Sequence, residues 1–404
     1  EGKRQVAHIA WLGKKSPFCG NVTYGLSTTE ALRARGHQTS FIHFDNPGVP
    51  GSGTTSLLAN DPDVSLPYLV KSQVYTIPSP GAQRELRESL ERLKPDLVHA
   101  SLTLSPLDFR LPDLCQQLGV PLVATFHPPF DAGLRNLTAG TQQLTYQLYA
   151  PALARYDRVI VFSELQAEVL ARLGVRDSRL AVIPNGVDPL CWSPSTAGTT
   201  ESSARQALHT MAQQAVRERL GSERIFLYMG RIATEKNVEA LLKAWRLVSP
   251  KGCRLVIVGD GPLRATLQNA HGHSSVSWWG YESDLNTRVA LMQCAEVFVL
   301  PSLVEGLSLA LLEAMASGCA CVATDAGADG EVLADGAGIV LSTQGVTTQL
   351  RTLLPVLRDQ PVLTAELGRR ARQRVLERYT LSRNIDAIES LYADLLSTTS
   401  RTAA

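Results

Sequence analysis

At 404 residues the chain is too long for one ordinary doubly wound domain, and at about 100–200 residues per domain it predicts two. Hydrophobic residues make up 44% and charged residues 19%, with a mean hydropathy of −0.01, which supplies two cores and excludes global disorder. Lys and Arg number 39 against 38 Asp and Glu, a net charge of +1 that lacks the basic surplus of a nucleic-acid binder.

The charge is not hidden in one half: 18 basic and 17 acidic residues precede position 189, and 21 of each follow. Small or neutral partners, or anions held by a few placed groups, fit this balance better than an electrostatic platform. The seven cysteines are odd in number and contain no Cys-x-x-Cys pair, so neither a disulfide framework nor a zinc site is expected. A reducing cytosol is the compartment this implies, and the sequons at Asn21 and Asn136 read as chance matches. Lys3 and Arg4 precede the short apolar run 6–12, which Lys14 and Lys15 close without a small-residue cleavage site. That run predicts a first strand rather than a leader. No stretch approaches 18 uninterrupted apolar residues, so no membrane span is expected.

In chain order, short apolar runs at 6–12, 39–43, 97–100, 122–126, 159–162 and 181–183 alternate with helical patterns at 28–35, 83–93 and 142–155. Most runs are continuously apolar, the mark of parallel strands buried on both faces. The series pauses over 188–224, where Pro189, Pro194 and 195–203 read as a loop before a helix at 204–220. It restarts with strands at 225–229, 255–258, 276–278, 297–300, 320–323 and 339–341. Helices fall at 238–248, 263–269, 308–316, 347–357, 364–378 and 383–396. The reading is α/β: a first Rossmann-like domain over 1–188, a second over 189–380, and a final helical segment, 381–404, packing back on the first. Ligands of open α/β sheets bind at the carboxyl ends of strands, so a cleft between the two domains is the expected site.

The most informative segment is Glu305-Gly-Leu-Ser-Leu-Ala-Leu-Leu-Glu313, which follows a strand and opens a helix. Gly306 lets a ligand approach the backbone, and the N–H groups near Ser308 and Leu309 suit a phosphate. Glu305 and Glu313 suit hydroxyls, as on a sugar or a ribose. The alternative is a helix with one carboxylate at its N-terminus and one on its solvent face. Gly230-Arg-Ile-Ala-Thr-Glu-Lys-Asn237 again lies between strand and helix, and Arg231 and Lys236 place two cations where a diphosphate is neutralised. The glycine spacing and Lys-Ser/Thr ending of a Walker loop are absent. Gly259-Asp-Gly-Pro262 is a third strand-end turn, and Gly280 and Tyr281 line either a base pocket or a buried aromatic cluster. In the first domain Cys19-Gly20-Asn21 follows the first strand, and His127 ends a strand before Pro128-Pro129. Each of these single pieces has a plain structural reading beside the functional one.

Together they resemble glycosyltransferase family 4. The likeness runs through Gly20, Leu32-Arg-Ala-Arg-Gly-His37, Thr125-Phe-His127, Tyr156-Asp-Arg-Val-Ile-Val-Phe-Ser163, Ile183-Pro-Asn-Gly-Val-Asp188, Gly230-Arg231, Glu235-Lys236-Asn237, Gly259-Asp-Gly-Pro262 and Glu305–Glu313. The resemblance implies the GT-B fold of two facing Rossmann-like domains and retaining hexosyl transfer from a nucleotide sugar, commonly a UDP-sugar, without a metal or other cofactor. It assigns the donor diphosphate to Arg231 and Lys236, the donor ribose to Glu313 and a hydroxyl of the transferred sugar to Glu305. Gly306, Leu307, Ser308 and Leu309 would offer backbone N–H groups, and His127 would sit by the transferred sugar and the acceptor. Gly20, Gly230, Gly259, Gly280 and Tyr281 complete the implied donor site. Where the family often has Gly-Gly in the first loop, this chain has Cys19-Gly20. Asp61-Pro-Asp63 sits in a loop-like stretch and is not read as a metal-binding Asp-x-Asp.

Residues 11–25 are similar to the opening of cyanobacterial digalactosyldiacylglycerol synthases. That implies galactosyl transfer from UDP-galactose to monogalactosyldiacylglycerol, with Phe18, Tyr24 and Phe130 offering apolar surface to the lipid and peripheral contact with the cytoplasmic face of a membrane. The rival enzymes are a family 4 transferase acting on a soluble sugar or polysaccharide precursor and a GT-B sugar-nucleotide epimerase. A glycosidase needs no diphosphate site, and a degenerate sugar-nucleotide-binding protein would have lost part of the set His127, Arg231, Lys236, Glu305 and Glu313.

Overall fold

A computed structural model describes residues 6–16, 19–46, 63–130, 139–195 and 203–402. It divides into two α/β units. The first draws on the chain up to His127, on Leu144–Asn185 and on the chain from Leu381; the second draws on Pro128–Gln143 and Gly186–Thr380. The division falls between Asn185 and Gly186 rather than after 188, and the stretch beginning at Pro128 counts with the second unit.

The first unit contains β1 (His8–Leu12), β2 (Gln38–Phe44), β3 (Val64–Leu66), β4 (Tyr68–Lys71), β5 (Thr76–Pro78), β6 (Leu97–Ser101), β7 (Leu122–Thr125), β8 (Arg158–Val161) and β9 (Leu180–Val182). Seven of these form a parallel sheet in the order β3-β2-β1-β6-β7-β8-β9, while β4 and β5 pair antiparallel as a separate hairpin. The central strands are buried along nearly their whole length, which is why their sequences read as unbroken apolar runs. The helix predicted over 28–35 starts at Gly20 and runs to Ala34. Its first half is rich in Gly, Thr and Ser, poor helix formers, and packing of Val22, Tyr24, Thr28 and Thr29 overrides that preference.

The helix Leu381–Thr402 belongs to this first unit. Ile385, Ile388, Leu391, Tyr392 and Leu395 pack with Ile9, Leu32, Leu97, Val123 and Ile160 in one buried cluster. The Arg35 guanidinium reaches Asp386 and Glu389 at 2.6 Å each, and His37 Nε2 meets Glu389 at 2.8 Å.

The second unit carries β10 (Arg224–Met229), β11 (Cys253–Val258), β12 (Val276–Gly280), β13 (Ala295–Leu300), β14 (Ala320–Thr324) and β15 (Ile339–Leu341). All pairs are parallel, in the order β12-β11-β10-β13-β14-β15. From β10 the chain winds one way to β11 and β12; β13 to β15 lie on its other side. That reversal opens a crevice at the carboxyl ends of β10 and β13, the usual ligand position of such sheets. No helix among the described residues is long and apolar enough to cross a membrane.

Candidate donor site and its surroundings

The loops leaving β10 and β13 hold the residues singled out by sequence. After β10 come Gly230 and Arg231, then one turn of 3-10 helix, Thr234–Lys236, ending at Asn237 in the left-handed region (φ 53°). After β13 come Ser302, Leu303 and Glu305. The Leu303 N–H donates to the Glu235 carbonyl at 2.8 Å, tying the loops together. Lys236 Nζ donates to Glu305 Oε1 at 2.6 Å, and Ser302 Oγ donates to the same oxygen at 2.7 Å. Burial disfavours the Lys236 ammonium, but the Glu305 charge and hydrogen bond, then Asp329 and Glu235, outweigh it and hold its pKa above the ordinary lysine value. Lys236 is therefore a permanent cation whose charge is already partly met by Glu305. Arg231 is 43% exposed and only loosely associated with Glu235, at 3.4 Å, so its fork is available to an incoming anion.

Glu305 leads into a tight turn before the helix Leu309–Ala316. Ser308 caps that helix, its side chain accepting from the Leu311 N–H at 3.3 Å. Its own N–H is not open to a ligand as expected, because it donates to Asp329 Oδ1 at 3.1 Å. The Gly306 carbonyl accepts from Ala328 at 2.8 Å, and Leu307 is almost buried. Glu313, in the helix's second turn, is 7% exposed, and burial lifts its carboxyl to about 7 against the attraction of Arg288. Glu305 and Glu313 thus have different surroundings: the first is ion-paired with Lys236, while burial dominates the second, with the Arg288 charge acting against it.

The glycines have structural reasons of their own. A Cβ on Gly259 (φ 137°) would lie 1.8 Å from the Gly230 carbonyl oxygen, so the β11 loop rests directly against the Arg231 loop. Ile232 N–H donates to Asp260 O at 2.9 Å, and Gly259 N–H to Gly280 O at 2.8 Å, extending that stack to the end of β12. Tyr281, next along, is 60% exposed.

In the first unit Gly20 opens the helix after β1, and a Cβ there would meet nothing within 4 Å. His127 leaves β7 with its ring stacked on Phe162 at 5.3 Å and its Nε2 3.3 Å from Ser101 Oγ, which in turn donates to Asn21 at 2.9 Å. Burial, then the Lys14 charge, lower its pKa to about 4, so it is a neutral imidazole at pH 7. Tyr24 is buried in this cluster, its hydroxyl 2.9 Å from Thr125 Oγ1, and Phe130 is buried against the Glu305 backbone, its N–H donating to Glu305 O at 2.9 Å. Neither ring is open surface for a lipid chain. Phe18 and Asp61 lie outside the described residues. Asp329 was not anticipated. The signal for it was the turn Ala326-Gly-Ala-Asp329 after the strand at 320–323, one more strand-end turn of the kind already noted.

This architecture is the GT-B fold. The Anabaena protein HepE, crystallised with UDP-glucose, matches with a TM-score of 0.74 at 17% identity over 97% of this chain and 100% of its own. Residues 20–189 match the family described as Glycosyltransferase Family 4, and residues 223–357 that described as Glycosyl transferases group 1. The chain is thus a transferase whose first part is similar to the one family and whose second part is similar to the other. EpsD of Bacillus subtilis is 26% identical over 403 residues, covering 94% of this chain and 96% of EpsD. The GDP-mannose-dependent alpha-(1-6)-phosphatidylinositol dimannoside mannosyltransferase of Mycobacterium tuberculosis is 27% identical over 315 residues, 76% of this chain and 75% of that enzyme.

Proposed function

We propose that the chain is a retaining hexosyltransferase that moves a hexose from a UDP-sugar to an acceptor hydroxyl without a metal. The observation that carries this reading is the Lys236–Glu305 pair, 2.6 Å long, at the crevice where the second sheet reverses its strand order. A cation with a carboxylate fixed beside it suits a substrate that joins a diphosphate to a polyhydroxyl ring.

As the bond from the sugar C1 to the diphosphate oxygen breaks, negative charge grows on the leaving group. Arg231 and Lys236 stabilise it, and removing one such donor typically costs about 2.7–4 kcal/mol of barrier. The acceptor oxygen bonds to C1 on the same face, and its proton passes to the departing phosphate oxygen. Glu305, acting as hydrogen-bond acceptor, orients a hydroxyl of the transferred ring. Glu313 receives the ribose hydroxyls, and neutral His127, its Nε2 set against Ser101 Oγ, can offer its other ring nitrogen to a sugar hydroxyl.

UDP is supported by the UDP-glucose complex of HepE, while the mycobacterial relative's name specifies GDP-mannose, so both bases belong in the test. Calorimetric titration with UDP and GDP should show tighter UDP binding by the native chain and its loss in Arg231→Ala/Lys236→Ala; unchanged binding in the double variant would sink the donor site. Turnover should survive EDTA.

For the acceptor, the likeness of residues 11–25 to galactolipid synthases supports monogalactosyldiacylglycerol with UDP-galactose. The names of the relatives point to other acceptors, a phosphatidylinositol dimannoside among them. Incubation with labelled UDP-galactose or UDP-glucose and either glycolipid or soluble sugars separates the readings: label in a chloroform extract means a lipid acceptor, and label only in water means a soluble one.

A further inference from the structure

Behind the Glu305–Ser308 turn lies the turn Ala326-Gly-Ala-Asp329, and its last three residues each touch the first. Gly327 has φ 53°, and a Cβ there would fall 2.0 Å from the Glu305 carbonyl oxygen and 2.5 Å from that of Gly306. The Ala328 N–H donates to Gly306 O at 2.8 Å. Asp329 Oδ1 accepts the Ser308 N–H at 3.1 Å. Asp329 is fully buried, and its Oδ2 has no hydrogen-bond partner among the described residues. An apolar side chain would fill this space without the cost of an unsatisfied buried oxygen, so packing does not account for a carboxyl here.

We propose that Asp329 is a positioning residue of the donor site, holding Glu305 in reach of Lys236 through its hydrogen bond to the Ser308 amide. This rests on the donor-site reading above. Glu305 is fixed in front by Lys236 and Ser302, and its backbone is fixed from behind only by this clamp and by Phe130 among the contacts described. The Asp329 bond closes the clamp at the helix side, where the turn would otherwise pivot.

The charges facing Asp329 are Glu305 across the turn and Lys236 beyond it, with Glu235 beside Lys236. Asp325 and Glu331 flank it on its own segment. Burial first, then the Glu305 charge, hold its carboxyl well above the ordinary range, against the Ser308 amide and Lys236. Its neutral form therefore persists to higher pH than that of an exposed aspartic acid. Ionisation adds a second anion beside Glu305, next to where a diphosphate must bind.

Asp329→Asn keeps an oxygen for Ser308 and cannot ionise; Asp329→Leu removes the acceptor. In transfer or donor-hydrolysis assays, Asp329→Leu should lose about tenfold or more in kcat/KM for the UDP-sugar, a misplacement effect. The native kcat/KM should fall toward alkaline pH, and Asp329→Asn should stay within about threefold of it at pH 6 without that fall. Native kinetics in Asp329→Leu, or an unchanged alkaline fall in Asp329→Asn, would overturn the proposal. Should Asp329→Leu not fold, the Asn profile alone decides. If the native chain neither transfers nor hydrolyses, the functional reading fails separately, and melting of Asp329→Asn still reports on the residue. Its gain in Tm over the native chain should be larger at pH 8 than at pH 5, and an equal gain at both would overturn the proposal.

Discussion

Replacing Glu313 by Gln should make the protein more stable and a poorer UDP binder, with the stability gain growing as pH rises. Glu313 is 7% exposed in the helix Leu309–Ala316, and burial lifts its carboxyl from 4.5 to about 7. Below pH 4.5 the folded and unfolded chains both hold the proton, and the residue costs nothing. Between 4.5 and 7 the unfolded chain ionises first, so stability falls as pH rises; above 7 the full cost applies. At about 1.4 kcal/mol per pH unit, that interval corresponds to about 3 kcal/mol. Gln carries no such dependence. Thermal unfolding of both forms from pH 4 to 8 should show an offset near zero at the acid end that widens with pH. For a unit of this size it should reach about 2–4 °C per kcal/mol. The transition to follow is that of the second unit. A carboxylate bonded to ribose hydroxyls contributes about 1.5–3 kcal/mol, so UDP affinity should fall about tenfold or more. An offset that is equal at pH 5 and pH 8 would refute the burial argument, and unaltered UDP affinity would remove Glu313 from the donor site.

Other substitutions probe the scaffold. Lys236→Met leaves Glu305 nearly buried without its cation and should cost about 3–5 kcal/mol in stability, read by denaturant unfolding, besides about 100-fold or more in kcat. Gly259→Ala forces a methyl group into the Gly230 carbonyl at a left-handed φ and should lower both Tm and UDP affinity. Gly20→Ala, facing open space, should leave Tm within about 0.5 kcal/mol equivalent and report only on ligand approach. Tyr392→Phe deprives His99 Nδ1 of its 2.5 Å partner in a fully buried setting and should cost about 1–3 kcal/mol in the first unit.

The buried parallel strands, apart from the three-residue edge strand β3, were legible because burial on both faces leaves an unbroken apolar run. The hairpin β4–β5 was not: Leu69, Val70, Val74, Tyr75 and Ile77 are exposed there, so no inward face imposes a pattern. The start of the first helix was hidden because packing, rather than propensity, forms it. Within the candidate site, Arg231, Lys236, Glu305 and Glu313 could be found from residue type and strand-end position alone. Which of them touch could not. The pairing of Lys236 with Glu305 spans 69 positions and depends on β10 lying beside β13. Asp329 was missed because a carboxylate in a strand-end turn looks like a solvated one, and only the fold shows that it is enclosed. The same enclosure takes the Ser308 amide, which the local sequence left open.

The helix Leu381–Thr402 completes a unit whose other parts are made before the strands of the second unit. As the chain emerges, the second unit has all its strands before the first has its last core residues. At about 5–20 residues per second, the apolar stripe formed by Ile9, Leu32, Leu97 and Val123 waits uncovered while some two hundred residues are added. The first unit to begin is therefore the last to finish, and a chain stalled or cut before residue 385 presents that stripe to whatever chaperone or protease meets it first.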